Sequence, residues 1–299
     1  MDNNFARQAG GGSTTRRMAH YHTLVQVQAL AEHLHDPAWV LVDCSFDLND
    51  PNSGERNYRE EHLPGAVYAH LDRDLAGPVT PTSGRHPLPD PETLAARLAA
   101  WGAENQCQLI AYDASGGAFA ARLWWLSKWL GHDRVAVLDG GRQAWEAAGL
   151  PLDADLPRPG TGSFEVRLRP ELALSTAEIP AAMAPGQVLI DARAGERFRG
   201  EVEPLDAKAG HIPTATNHPF QENLDETGRF LPAEALRERY EQTLDGRESQ
   251  GVICMCGSGV TACHTLLALQ VAGIEGGRLY AGSWSEWIRD PSREIATGA

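Results

Sequence analysis

The sequence predicts an α/β protein made of two similar domains, each a mainly parallel sheet with helices on both faces. Three observations carry this reading. Short apolar runs alternate with segments of helical periodicity. Four stretches of the first half return in the same order in the second. A Pro-, Gly- and Asp-rich stretch, "LPLDADLPRPGTGSFEV" (150–166), separates the two halves as a linker would.

The repeat is specific. "WVLVDCSF" (39–46) resembles "QVLIDARA" (187–194), and "EHLPGAV" (61–67) resembles "GHIPTAT" (210–216). "QLIAYDASGGAFAARLWWL" (108–126) resembles "GVICMCGSGVTACHTLLAL" (251–269), and "LDGGRQAW" (138–145) resembles "YAGSWSEW" (280–287). The offsets stay between about 142 and 149 residues. Residues 21–150 and 169–299 are therefore expected to form the two domains, with 151–168 as linker and 1–20 as a disordered arm.

The elements follow in order. "VLVD", "QLIAYD" and "RVAVLD" are apolar runs closing on Asp, as buried parallel strands do. "PETLAARLAAWG" opens with Pro, places apolar residues at helical spacing and ends at Gly. "LPAEALRERYEQTL" (231–244) is its counterpart. "FAARLWWLSKWLG" and "TACHTLLALQVAG" are further helices ending at Gly. In sheets of this kind, ligands bind in loops beyond the C-terminal strand ends.

Bulk properties narrow the function. The chain has 299 residues and a formal net charge of −14, which argues against nucleic acid or an anionic membrane as partner. An anionic substrate then needs a local basic pocket. Five cysteines, an odd count in a long chain, point to reduced thiols and a cytoplasmic setting rather than a disulfide scaffold. No run of eighteen apolar residues exists, and the first twenty residues hold no apolar stretch suited to secretion.

The chemistry concentrates in "CMCGSGVTACH" (254–264). "GVIC" reads as a strand and "TLLALQVA" as a helix, so "CGSGVTA" is a strand-to-helix loop. Gly257 and Gly259 let the backbone turn N–H groups inward, and the helix N-terminus adds partial positive charge. Cys256, at the loop entrance, stands where that field favours a thiolate nucleophile. A metal site needs Cys254, Cys256, Cys263 and His264 to converge from a strand, a loop and a helix, and no second cysteine pair stands at zinc spacing. A redox pair of Cys254 and Cys256 leaves one residue between the thiols instead of two. A thiolate phosphatase needs an arginine six positions after the cysteine, where Ala262 stands. Cys254 and Cys263 fit best as small buried apolar residues.

On "LIDARAGERFRGE", "GHIP", "CGSGVTAC" and "YAGSWSEW", the chain resembles the tandem-domain rhodanese-like sulfurtransferases over roughly residues 22 to 292. The resemblance implies an active site in the second domain, at the interface, and an inactive first domain. Asp113 stands at the Cys256 position of the first copy. It implies a Cys256 persulfide, stabilised by loop N–H groups, that passes sulfur to a thiol acceptor such as thioredoxin or a small thiol, or to cyanide. Neutral Gly257 and Ser258 make the loop similar to that of 3-mercaptopyruvate sulfurtransferases, since thiosulfate enzymes carry cations there. The same resemblance pairs Ser258 with His86 and Asp72 of the first domain, and makes Arg197 the substrate-binding arginine beside Gly257, Gly259, Val260 and Thr261. A plain alternative leaves Asp72 and His86 as surface loop residues. A second family arginine is replaced in "EPL" by Leu205, with Lys208 or Arg199 as candidates to take its place. Arg193 is expected to form a structural ion pair beside Asp191, and Trp284 to serve in packing or at the pocket mouth. No metal, nucleotide or flavin is implied. The alternatives are thiosulfate as main donor, or a non-catalytic binding or redox-sensing module; such modules usually lack the loop cysteine.

Overall fold

The computed structural model describes residues 20–157, 160–183, 186–247 and 251–298. Residues 1–19, most of the expected arm, lie outside the described residues.

The first half supplies strands β1 (Leu24–Val25), β2 (Trp39–Asp43), β3 (Val67–Tyr68), β4 (Gln108–Tyr112) and β5 (Val135–Leu138). Its helices are α1 (Val27–Glu32), α2 (Ser53–Glu60), α3 (Leu71–Asp74), α4 (Pro91–Ala100), α5 (Ala120–Trp129) and α6 (Gly141–Ala147). The second half supplies β6 (Ala173–Leu174), β7 (Val188–Asp191), β8 (Thr216–Asn217), β9 (Val252–Met255) and β10 (Arg278–Tyr280). Its helices are α7 (Ile179–Ala182), α8 (Gly195–Phe198), α9 (Ala233–Leu244), α10 (Thr261–Val271) and α11 (Ser283–Trp287). The sheet orders are β1-β5-β4-β2-β3 and β6-β10-β9-β7-β8, the same order twice. Every pairing between these strands is parallel.

Strand alternation sends side chains to two cores in each half. On β4, Leu109 and Ala111 face one core while Ile110 and Tyr112 face another. On β9, Val252 and Cys254 face the first of these cores, and Ile253 and Met255 face a third. The first core is continuous across both sheets, so the two halves share apolar packing, with α5 against α10. Helix ends obey local chemistry. Asp90 caps α4 by accepting from the Thr93 N–H at 2.8 Å, with Pro91 in the first turn.

The segment between the halves is tied down. His62 and Asp153 exchange backbone hydrogen bonds, Gly160 and Gly162 donate to Ala100 and Ala99, and Arg167 donates to Leu130. No helix among the described residues is long and apolar enough to cross a membrane.

His264, on α10, stitches the halves together. Its Nε2 lies 3.1 Å from the Gly116 carbonyl of the first half, and its Nδ1 lies 3.3 Å from the Asn223 amide nitrogen. A carbonyl must accept and an amide N–H must donate, so the ring is the neutral Nε2–H form. Phe230 stacks on it at 4.5 Å. Burial pushes its pKa down to about 4, against 6.5 when exposed. Between these values the unfolded chain binds a proton that the folded chain does not, so stability falls as pH drops from 6.5 toward 4. From pH 7 to 4.5, urea unfolding of the wild type should lose about 2–3 kcal/mol more than His264→Gln. Equal losses in the two proteins would contradict a buried neutral imidazole.

Candidate active site

β9 delivers Cys256 to the C-terminal edge of the second sheet, and α10 begins five residues later at Thr261. The loop between is held from behind. Cys256 N–H donates to Ser283 Oγ at 3.1 Å, and the Cys256 and Gly257 carbonyls accept from Trp284 and Ser285 at 3.0 and 2.9 Å. Ser283 has φ of +53°, unusual for a residue with a side chain. Its hydroxyl also donates to the Tyr280 carbonyl at 2.8 Å, which holds it there. Gly259 has φ of +79°, and a Cβ there would lie 2.5 Å from the Ala281 carbonyl oxygen, so only glycine fits.

The three clustered cysteines differ in setting. Cys254 faces the shared core, and burial raises its thiol well above the usual range. Burial pushes Cys263 up to about 12, although Arg122 pulls the other way, and its S–H donates to the Gly259 carbonyl at 3.3 Å. Both are thiols at neutral pH. Cys256 alone of the three lines a cavity, and its Sγ accepts the Gly259 N–H at 3.1 Å. The first half shows what such a loop holds. Asp113, at the matching strand end, accepts N–H bonds from Ser115, Gly117, Phe119 and Ala120 at 2.7–2.9 Å. That is a complete anion cradle filled by the chain's own carboxylate.

The first half also contributes to the second half's loop. His86 Nδ1 lies 2.7 Å from Ser258 Oγ, and its Nε2 lies 3.1 Å from Asp72 Oδ1. An ionised Asp72 accepts, so Nε2 carries the proton and Ser258 O–H donates to Nδ1. Burial is the main influence on His86 and lowers its pKa, with Asp72 opposing. The hydrogen bond to His86 holds the Asp72 carboxyl below its ordinary range. The surface-loop alternative is therefore wrong for His86, which is 5% exposed. Asp72, with a side chain 45% exposed, is its outer partner.

Sequence reasoning missed Arg122. This fully buried guanidinium on α5 donates to the carbonyls of Gly259 (3.1 Å), His86 (3.2 Å), Leu75 and Pro87 (both 3.4 Å). It ties the histidine segment to the nucleophile loop. On the sequence it is the one charged residue in the apolar first turns of α5, the only local signal of its role.

The cavity has a volume of about 350 Å³ and is lined by Cys256, Gly257, Ser258, Val260 and Thr261 together with Arg85, Arg193 and Arg197. Gly259 supports the loop from beneath through its N–H and carbonyl. A larger cavity of about 720 Å³ lies against α5 and α10 and holds neither the nucleophile nor the histidine. Arg193 is in a fully buried ion pair with Asp191 at 2.7 Å, as expected, and lies over Trp284. Trp284 is fully buried in the core rather than at the mouth. Arg197 pairs with Glu203 at 2.6 Å and with Asp206 at 3.3 Å. The expected stand-ins for the second arginine do not reach the cavity. Arg199 pairs with Glu201 at the surface, and Lys208 is not among the lining residues. Arg85 lines it instead, from the first half, and sequence reasoning passed it over.

Comparison with known proteins places this architecture. The rhodanese-like domain family matches residues 26–148 and 175–290. A probable 3-mercaptopyruvate sulfurtransferase of Pseudomonas aeruginosa is 51% identical over 278 residues, covering 92% of this chain and 98% of its own. A putative thiosulfate sulfurtransferase of Mycobacterium tuberculosis is 39% identical, covering 88% of this chain and 92% of its own. The solved structure of a 3-mercaptopyruvate sulfotransferase from Escherichia coli superposes with a TM-score of 0.77 at 31% identity, covering 89% of this chain and all of that one. Two matched domains, two equivalent sheets and relatives aligned along nearly their whole length establish that this chain belongs to the tandem-domain rhodanese-like sulfurtransferases.

Proposed function

We propose that the chain is a 3-mercaptopyruvate sulfurtransferase: it takes sulfur from 3-mercaptopyruvate onto Cys256 as a persulfide, releases pyruvate, and passes the sulfur to a thiol or cyanide. The observation that carries this reading is the neutral Ser258 hydroxyl, 2.7 Å from a buried histidine and two residues from the nucleophile. A neutral relay at that position suits a donor that has a proton to move. Thiosulfate is a dianion with no such proton.

The Cys256 thiolate attacks the donor sulfur, an S–S bond forms, and the C–S bond breaks. The bonding pair stays on carbon as the pyruvate enolate, so cysteine is oxidised and carbon reduced. The donor's thiol proton moves through Ser258 and His86 and ends on that carbon, giving pyruvate and a Cys256 persulfide anion. His86 accepts at Nδ1 because Asp72 holds the other ring proton at Nε2. The loop N–H groups stabilise the persulfide as the matching groups stabilise Asp113 in the first half. Arg197 beside Gly257 receives the donor carboxylate. The first domain is inactive as a sulfur carrier, since a carboxylate occupies its cradle. In this reading the acceptors are small thiols, cyanide or thioredoxin, and the setting is cytoplasmic.

Two sets of measurements test the reading. Pyruvate release should vanish in Cys256→Ser and persist within about threefold in Cys254→Ser and Cys263→Ser, which alter buried thiols outside the cradle. Wild-type kcat/KM should favour 3-mercaptopyruvate over thiosulfate. Full activity without Cys256, or a clear thiosulfate preference, would overturn it. Second, NMR titration of the His86 ring should give a pKa below 6.5, since burial disfavours its charged form. Asp72 opposes that effect, so Asp72→Asn should lower the value further while pyruvate release falls at least about tenfold. A pKa raised by Asp72→Asn would contradict the assignment.

A further inference from the structure

Arg85 belongs to the first half, yet its guanidinium faces the nucleophile loop of the second. Its loop docks on α11: the Gly84 and Arg85 N–H groups donate to Glu286 Oε2 and Ser285 Oγ at 3.3 and 3.0 Å. A methyl group added at Gly257 would lie 2.7 Å from Arg85 Nη2, and 3.5 and 3.7 Å from Arg197 Nη2 and Nη1. Two guanidinium groups from different halves thus converge on the residue beside Cys256.

Asp206 sets their geometry. Its carboxylate takes Arg85 Nε and Nη2 at 3.0 and 3.2 Å, and also takes Arg197 Nη2 at 3.3 Å. Glu203 takes Arg197 Nε and Nη2 at 3.1 and 2.6 Å. The side chains of both acids are nearly buried, at 4% and 3% exposure. Nη1 of Arg85 and of Arg197 keeps no hydrogen-bond partner among the described residues. Each guanidinium is fixed by an acid on one side and retains free N–H donors on the other.

We infer that Arg85 is a second carboxylate-binding residue, supplied across the domain interface, and that it closes on the donor's carboxylate together with Arg197. With Leu205 in place, the segment after Arg197 sends no second cation to the cavity, and Arg85 provides one from the first half. Glu203 and Asp206 balance the two guanidinium charges, so the pair accepts a monoanionic keto acid more readily than a dianion. Asp206 is a positioning residue that orients Arg85. This assignment rests on the keto-acid donor proposed above.

The test compares 3-mercaptopyruvate with mercaptoacetone, the same donor carrying a methyl in place of the carboxylate. Arg85→Leu should raise KM for 3-mercaptopyruvate at least about tenfold, with kcat within about threefold, because the carboxylate is bound in ground and transition states alike. Turnover of mercaptoacetone should change less than about threefold. Arg85→Lys should recover part of the loss, since it keeps the charge without the fork. An unchanged KM in Arg85→Leu, or equal losses on both donors, would overturn the assignment. Pyruvate titrated calorimetrically into wild type and Arg85→Leu needs no turnover. Weaker binding in the variant supports Arg85, and equal affinity, or no binding to either protein, counts against it. Absence of wild-type turnover with 3-mercaptopyruvate would sink the donor reading separately, and the pyruvate titration would still decide Arg85.

Discussion

One buried cation joins the two halves at the site. Arg122 sits on α5 of the first half, and its hydrogen bonds go to backbone carbonyls of both halves. A buried guanidinium is tolerated only when its donors are met, and here the acceptors include Gly259 in the Cys256 loop and His86. Satisfying Arg122 therefore brings the Ser258 hydroxyl within reach of His86. Neither half alone contains the whole arrangement: one brings Cys256, Ser258 and the loop N–H groups, the other brings His86 and Asp72.

The electrostatics are local rather than global. A chain with a formal charge of −14 attracts no anion at long range. Around Cys256 the balance differs. Arg85, Arg193 and Arg197 are matched by Asp191, Glu203 and Asp206, and the loop adds oriented N–H groups. The first half shows the same cradle with its anion built in, since Asp113 takes four of its N–H groups. In the second half a thiol stands at that position, and the Gly259 N–H is directed at its sulfur.

The legible part of this molecule was the part written locally. Alternating strands and helices, and the return of four stretches in a second copy, led to the two sheets, whose strand orders are equivalent. Cys256 was readable because strand, loop and helix are contiguous around it. Ser258, His86 and Asp72 could be named only by resemblance, since 172 residues separate His86 from Ser258 and no periodicity links them. Arg122, Arg85, Asp206 and Ser283 were missed for the same reason. Each acts on a partner distant in sequence, or through a backbone angle that composition does not encode. Leu205 stands where the resemblance implies a second arginine. Its replacement was sought nearby, at Lys208 and Arg199, whereas the fold brings Arg85 in from the other domain.

The proposed reaction places the sulfur on Cys256 and nowhere else. The most direct measurement is the mass of the intact protein after treatment with 3-mercaptopyruvate, followed by peptide mapping. One added sulfur atom is expected, located on the peptide carrying Cys256 and removed by a thiol. Sulfur mapped to Cys254 or Cys263, or no mass change with this donor, would contradict it.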